Sequence, residues 1–321
     1  MPNEQHLFLL WHQLGWPLVR LLLFISIGLL VAGFIEALNW TRKIAVLARP
    51  LTKIGHLSPI TGASFSMAFF SGVAANTMLA EAYEQKKIHK KELILANLFN
   101  SMPTYFLHLP TTFCIVAPLI KGAAVIYVGL TFGAAILRTL AITLISHFLL
   151  EATASEPKRN EPPNKTNLQT AWKNTIQRFK KRIRKIIRFT VPVYILFFIL
   201  ARMGVFGMLE GFMASHLSFL SWLSPKAVTI ITLQVAAEFT AGLAAAGALL
   251  QNGSMDYQHV VLALLVGNVL SSPIRAMRHQ FPYYAGIFNP RLALQLIAFS
   301  QTFRTLSIAL VALAYYLVVI A

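Results

Sequence analysis

Long apolar runs separated by short polar and basic segments dominate the chain. Crossing a hydrocarbon core of roughly 30 Å takes about 20 apolar residues at 1.5 Å each. Residues 17–39, 93–119, 122–150, 189–213, 259–288 and 292–320 meet that requirement, each broken by few charges. Two further apolar stretches, 58–83 and 225–251, are long enough to span but carry a glycine near the middle with polar neighbours. Each reads either as a full crossing or as a re-entrant hairpin of two short helices that turns back inside the protein.

Charge decides between these readings. Residues 151–188 hold eleven Lys and Arg, which places them in the cytoplasm. Eight full crossings would then leave nine basic residues outside against fifteen inside, against the positive-inside rule. Two hairpins and six crossings give twenty-two inside against two outside, with Arg20, Arg138, Arg202 and Arg304 within spans. The expected fold is therefore all-α, a polytopic membrane protein of six transmembrane helices plus two re-entrant helical hairpins, with both termini outside. A bacterial inner (plasma) membrane is the expected location.

Composition agrees. The 321 residues are 56% hydrophobic and 12% charged, with a mean hydropathy of +0.63, which excludes an ordinary soluble domain and a disordered chain. The formal charge of +17 fits cytoplasmic loops better than nucleic-acid binding. Cys114, the single cysteine, supplies neither an internal disulfide nor a thiolate cluster. Residues 1–16 lack a basic start and a small-residue cleavage site, so no cleaved signal peptide is expected.

The two halves repeat one another. Leu57-Ser58-Pro59 recurs as Leu223-Ser224-Pro225, Phe69 to Gly72 as Phe239 to Gly242, Asn100-Ser101-Met102-Pro103 as Leu270-Ser271-Ser272-Pro273, and Arg138-Thr139-Leu140-Ala141-Ile142 as Arg304-Thr305-Leu306-Ser307-Ile308. The first repeat, 1–150, reads as helix, hairpin 58–83, interrupted helix 93–120 and helix 122–150. A basic linker, 151–188, follows. The second repeat, 189–321, reads as helix, hairpin 225–251, interrupted helix 259–288 and helix 292–320. Three crossings per repeat invert the second copy. Inverted repeats with discontinuous helices are the mark of secondary transporters, which bind solute where unwound segments meet near the midplane. Breaks are predicted at Ser71-Gly72, Asn100 to Pro103, Thr240 to Gly242 and Ser271 to Pro273.

The glycine-centred hairpin, Asn97-Leu98-Phe99-Asn100-Ser101 and Leu109-Pro110-Thr111-Thr112 resemble the nucleoside-recognition, or gate, domain membrane proteins. That group includes spore maturation proteins A and B, the membrane part of ferrous iron transporters and the hairpin-bearing half of concentrative nucleoside transporters. The resemblance covers residues 58–142 and 225–308. It implies two hairpins whose tips meet two unwound helices around a solute site. The hairpin tip departs from the Gln-Thr-Glu type of the nucleoside carriers.

Within this frame, Arg138 and Arg304 stand at matching mid-helix positions. They read either as anchors for an anionic solute, since guanidinium forks suit carboxylate and phosphate, or as ion pairs and carbonyl caps that lock helices together. Glu238 binds a coupling cation or proton, or else neutralises an arginine. Glu36 and Glu210 match each other near helix ends and read as solvated. Asn76, Asn100, Ser101, Gln234, Thr240, Ser271 and Ser272 are the polar candidates for the solute site, each weighed against simple helix capping. His108 and His279, which lie beyond the breaks with Arg275 and Arg278 nearby, read as polar residues lining a vestibule, weighed against a proton-coupling histidine. The 168–187 segment alternates Leu168, Trp172, Ile176, Phe179, Ile183, Ile186 and Ile187 with Lys and Arg, as an interfacial helix on anionic lipid would.

No paired-carboxylate, His-Glu-x-x-His or Ser-His-Asp pattern is present, so no enzyme activity, metal or cofactor is expected. The expected function is a secondary transporter of a small polar or anionic solute working by alternating access. A non-transporting gate-domain scaffold or partner protein, and a channel or lipid-handling protein, are the alternatives. Expected partners are the solute, a coupling Na+ or H+, anionic lipids at the basic linker and a second copy in a homodimer, with no nucleic acid.

Overall fold

A computed structural model describes residues 48–151, 168–205, 223–236 and 239–319, with isolated positions between 8 and 30 and between 208 and 220. The described residues are helical, in the order α1 Arg49–Ile54, α2 Pro59–Ala68, α3 Gly72–Glu84, α4 Lys90–Phe99, α5 Ser101–Ile120, α6 Ala123–Leu149, α7 Leu168–Arg202, α8 Pro225–Ala236, α9 Phe239–Gln251 and α10 Tyr257–Arg275. A π-helical turn, Ala276–Gln280, leads to α11 Phe281–Ile287 and then α12 Pro290–Val319.

Among the described residues, four helical segments are long and apolar enough to cross a membrane: Lys90–Ile120, Ala123–Leu149, Tyr257–Ile287 and Pro290–Val319. They coincide with four of the six predicted spans. Large apolar side chains stand exposed along α6 and α12, among them Leu140, Leu144, Phe148, Leu310, Leu313 and Leu317. Such apolar belts are stable against lipid, not water. The predicted span 17–39 falls largely outside the described residues. In the predicted span 189–213, α7 supplies only the part up to Arg202, about 21 Å of helix.

The repeated Leu-Ser-Pro motif has a local structural cause. Ser58 and Ser224 each accept a hydrogen bond from the backbone N–H three residues on, capping α2 and α8. Proline follows at the first helical position, where its missing N–H costs nothing. Leu57 and Leu223 are buried just ahead of the cap. Glu92 on α4 adds to the first copy, its Oε1 accepting from Ser58 N–H and Thr61 Oγ1, both at 2.9 Å. Asp256 caps α10 by accepting from His259 N–H at 2.8 Å, and that bond is the main cause holding its carboxyl below the usual carboxylate range.

α2 and α3 pack on each other across the break at Phe69 to Ser71, and α8 packs on α9. These helices are 10, 13, 12 and 13 residues long, so each covers only about 15–20 Å. None crosses a bilayer alone. The first predicted break is where the sequence put it, with Ser71 capping α3 through Ala74 N–H at 3.1 Å. The predicted break at Thr240 to Gly242 is corrected: all three residues lie inside α9, which begins at Phe239. Gly242 serves close packing instead, because a Cβ there would meet Gln234 Cβ at 2.7 Å and Ile230 O at 3.1 Å on α8. Gly247 has the same role against α5, where a Cβ would stand 2.5 Å from Leu119 O. Gly247→Ala is therefore expected to lower thermal stability by about 1–3 kcal/mol through overpacking against backbone, read as a drop in melting temperature in detergent.

Ser271 to Pro273 is a second correction, since α10 runs through Pro273 to Arg275 without a break. The helix widens one turn later, into the π-helical segment Ala276–Gln280. Such local widening re-satisfies backbone groups that a membrane proline frees.

The linker region also differs from expectation. α7 is one unbroken 35-residue helix, continuing through Arg188 with Pro192 inside it. Thr175 is buried, and Phe179 and Ile183 pack against a protein cluster that includes Leu79, Leu93, Leu292 and Leu296. Part of the apolar stripe thus covers protein. Lys173, Lys180, Arg184 and Arg188 are exposed, with Trp172 and Ile187 beside them. Periodicity fixes an apolar face but not what lies against it.

The chain forms two compact units, and they cut across the sequence halves. Unit 1 comprises Met1–Thr104, Thr139–Phe198 and Phe281–Leu296; unit 2 comprises Tyr105–Arg138, Ile199–Gln280 and Ile297–Ala321. In unit 1, α2 and α3 pack around Ala63, Met67, Ala75 and Met78, and Leu79, Leu93 and Ala96 join Ala285, Phe288 and Leu296 in a second cluster. The core of unit 2 gathers Val116, Ile120, Tyr127, Ile230, Leu243, Leu264, Leu265 and Ile308.

Candidate functional site

Each unit encloses a polar cluster. In unit 1, Asn97 on α4 donates from Nδ2 to Asn76 Oδ1 at 2.9 Å and to the Tyr284 hydroxyl at 3.3 Å. Asn76 on α3 donates from Nδ2 to the Tyr283 hydroxyl at 2.9 Å. The two tyrosine rings meet edge-on, with centroids 5.2 Å apart. Nearby, Asn100 Nδ2 donates to Ser64 Oγ at 2.8 Å, and that hydroxyl donates to Ala75 O at 3.2 Å. Asn100 Oδ1 is buried without a hydrogen-bond partner, as is Thr77 Oγ1. These partners are neutral amides, hydroxyls and phenols.

The predicted break at Asn100 to Pro103 is present between α4 and α5, and it is one residue wide. Its freed backbone groups find protein partners. Ser101 Oγ donates to Leu98 O, and Met102 N–H turns to Thr139 Oγ1 at 3.2 Å. Pro103 has no N–H to give Phe99 O, and Thr139 Oγ1 donates to that carbonyl at 3.2 Å. One hydroxyl, accepting and donating, closes the gap.

Unit 2 is cationic. Arg275 Nη2 donates to Asn268 Oδ1 at 3.1 Å, and Asn268 Nδ2 donates to the Tyr127 hydroxyl at 3.2 Å. The Arg275 guanidinium lies 5.7 Å over the Phe239 ring, which stacks on Tyr127 at 6.0 Å. Arg275 thus belongs to this cluster. Ser272 Oγ donates to Gln301 Oε1 at 2.7 Å, and Gln301 Nε2 to Gln280 Oε1 at 3.4 Å. Ser271 bonds back to Gly267 O at 2.7 Å. Gln234 donates to Leu264 O at 3.4 Å, leaving its buried Oε1 unpartnered against Gly267.

Arg138 is 8% exposed. Its Nη1 donates to Ser307 Oγ at 3.1 Å, and Ser307 Oγ donates to Arg304 O at 2.9 Å, so the two arginine-bearing turns share one serine. Arg138 Nε has no partner. Neither Arg138 nor Arg304 forms an ion pair with a described carboxylate. Asp256, the only acid described in unit 2, lies against His259 Nδ1 at 2.8 Å.

The candidates therefore divide, with Asn76, Asn100 and Ser101 in unit 1 and Arg138, Gln234, Thr240, Ser271, Ser272 and Arg304 in unit 2. Thr240 is exposed on α9. Glu36, Glu210 and Glu238 lie outside the described residues. Sequence reading missed Tyr127, Tyr283, Tyr284, Gln301 and Thr139. The tyrosines look apolar in a hydropathy pattern, although a buried phenol needs a partner and so marks a polar neighbour.

The chain matches no model of a known protein family and no solved structure. It is similar to three archaeal proteins of Methanocaldococcus jannaschii, each described as uncharacterized. One is 26% identical over 87% of this chain and 87% of its own length. A second is 28% identical over 88% and 90%, and a third 24% identical over 89% and 92%.

Proposed function

We propose that this chain is a secondary transporter of a small anionic solute, built as an inverted repeat of six crossings and two re-entrant hairpins. The short pairs α2–α3 and α8–α9, too short to cross individually, are the hairpins of that reading. Its carrying observation is Arg138: a buried guanidinium bonded to one neutral serine, with Nε unpartnered and no carboxylate beside it among the described residues. Burying an arginine costs at least about 2.5–3.5 kcal/mol on insertion scales, and a structural arginine offsets that with an ion pair or with backbone carbonyls, neither of which is present at Arg138 among the described residues. An anion arriving from solution offsets it during transport. The site alternates in access as hairpins or bundle move, a coupling Na+ or H+ supplying the driving force. A multi-pass membrane location follows from the spans, and the exposed basic stripe of α7 meets anionic lipid headgroups. The nucleoside-recognition resemblance and a homodimer belong to the same proposal.

Two measurements test it. A reporter fused after Ala321 is expected outside and one inserted near Asn164 in the cytoplasm; both on one side would refute the six-crossing count. Purified protein warmed with a panel of carboxylates, organophosphates and nucleosides is expected to melt later with an anion, since a ligand of the folded state stabilises it by mass action. No shift, together with no uptake into liposomes, would favour a scaffold.

A further inference from the structure

One end of unit 1 collects cations from three separate parts of the chain. A single apolar cluster there joins Ile88 and Leu93, at the turn from α3 into α4, to Phe288, Leu292 and Leu296, at the turn from α11 into α12, and Phe179 and Ile183 of α7 pack against it. Each of these anchors has exposed cations beside it in sequence. Lys86, Lys90 and Lys91 flank Ile88, Arg291 precedes Leu292, and Lys180 and Arg184 follow Phe179 and Ile183.

Helix α7 serves two sides at once. At about 3.6 residues per turn, the protein-facing Thr175, Phe179 and Ile183 fall within an arc of about 80°. Exposed Lys173, Lys180, Arg184 and Arg188 fall within a second arc of about 80°, centred roughly 140° away. The cations therefore stay outward while the helix is docked. Residues 168–202 contain no acid. Of the acids at the α3–α4 turn, Glu81 is buried and accepts from Gln85 Nε2 at 3.1 Å, and Glu92 accepts from Ser58 and Thr61, which leaves Glu84 at the surface.

The partner follows from where the cations stand on their helices. Lys90 and Lys91 open the membrane-length segment Lys90–Ile120, Arg291 is the second residue of Pro290–Val319, and Arg188 is followed at once by the apolar part of α7. Cations in the first turn of a span lie at the depth of phospholipid headgroups. Lipid phosphate is already present at that depth, and a soluble polyanion would have to displace it.

We propose that this end of unit 1 is a composite site for anionic phospholipid, in which headgroup phosphates bridge the 86–91 segment, α7 and the start of α12. The site rests on the membrane reading above, extends the lipid contact of α7 to two further segments and does not depend on transport. Bound lipid holds α7 onto the apolar cluster, because a headgroup shared by two segments loses contacts when they part.

The test uses the full chain purified in detergent with added dioleoylphosphatidylglycerol or dioleoylphosphatidylcholine. Thermal unfolding is followed together with retained lipid, by native mass spectrometry. Phosphatidylglycerol is expected to raise the melting temperature saturably where phosphatidylcholine does not, and added salt to weaken the effect. A cation near an anionic surface is worth roughly fivefold in binding, so K180Q/R184Q/R188Q and, separately, K86Q/K90Q/K91Q are each expected to weaken the apparent affinity about a hundredfold. All six side chains are exposed, so both variants are expected to keep the parent melting temperature without lipid. Combined, the two sets are expected to lose less than the product of their separate losses, since a bridged headgroup needs both sides. Losses that multiply would show independent contacts and overturn the bridge. A full response in K86Q/K90Q/K91Q would overturn the composite site and leave the contact of α7 alone. Equal response to the two lipids, or to glycerol 3-phosphate as to phosphatidylglycerol, would overturn lipid recognition at this end altogether. The anion panel reads the transport proposal separately, because these variants leave Arg138 in place.

Discussion

Thr139→Val is expected to destabilise the protein by about 2–5 kcal/mol, because it strips the partner from two backbone groups at once. Valine keeps the shape of threonine but neither donates to Phe99 O nor accepts from Met102 N–H. Both groups lie at a break where the helix offers no substitute, and each buried group left unsatisfied costs about 1–3 kcal/mol. The proline is the reason for the vacancy, so Pro103→Ala in the same chain returns an N–H to Phe99 O and is expected to recover about half of the loss. Denaturant or thermal unfolding of the two single variants and the double variant measures the coupling. A Thr139→Val protein within about 0.5 kcal/mol of the parent would show that water or a shifted helix serves those groups.

Arg138→Gln is expected to act in the opposite direction on the empty protein. It loses one charge-assisted hydrogen bond to Ser307, worth about 1.5–3 kcal/mol, and relieves a buried charge costing at least about 2.5–3.5 kcal/mol. The net expectation is a gain of up to about 2 kcal/mol in solute-free stability, together with loss of most of the anion-induced shift in melting temperature. A residue kept at a cost to the empty fold is one whose return comes on binding. If the variant instead melts earlier or accumulates poorly, Arg138 is a structural strut and the anion reading loses its main support.

Much of the architecture was legible because membranes restrict the options. Runs of about 20 apolar residues located four of the long helices within a few residues. The Leu-Ser-Pro motif was legible as a repeat, and the structure gives its reason, since both serines cap a helix. Glycine and proline were less informative. Gly242 was expected to open a helix and in fact lets two helices approach, while Pro273 is absorbed by a wider turn downstream. Either residue permits several outcomes, and neighbouring side chains choose among them. The stripe of 168–187 shows the same limit, since Phe179 and Ile183 meet protein although the spacing suits lipid equally well.

By itself, the sequence determined that long apolar helices suited to a membrane form, where short helices start, and that Arg138 and Arg304 occupy matching places. Those properties follow from local hydropathy, capping chemistry and repetition, none of which requires knowing what lies across a contact. Only the tertiary structure decided that Thr139 repairs the gap at Pro103, that Tyr283 and Tyr284 complete the asparagine cluster, and that Arg138 bonds Ser307. Hydrogen bonds and charge compensation are made between residues far apart in the chain, so their partners are fixed by packing and not by spacing.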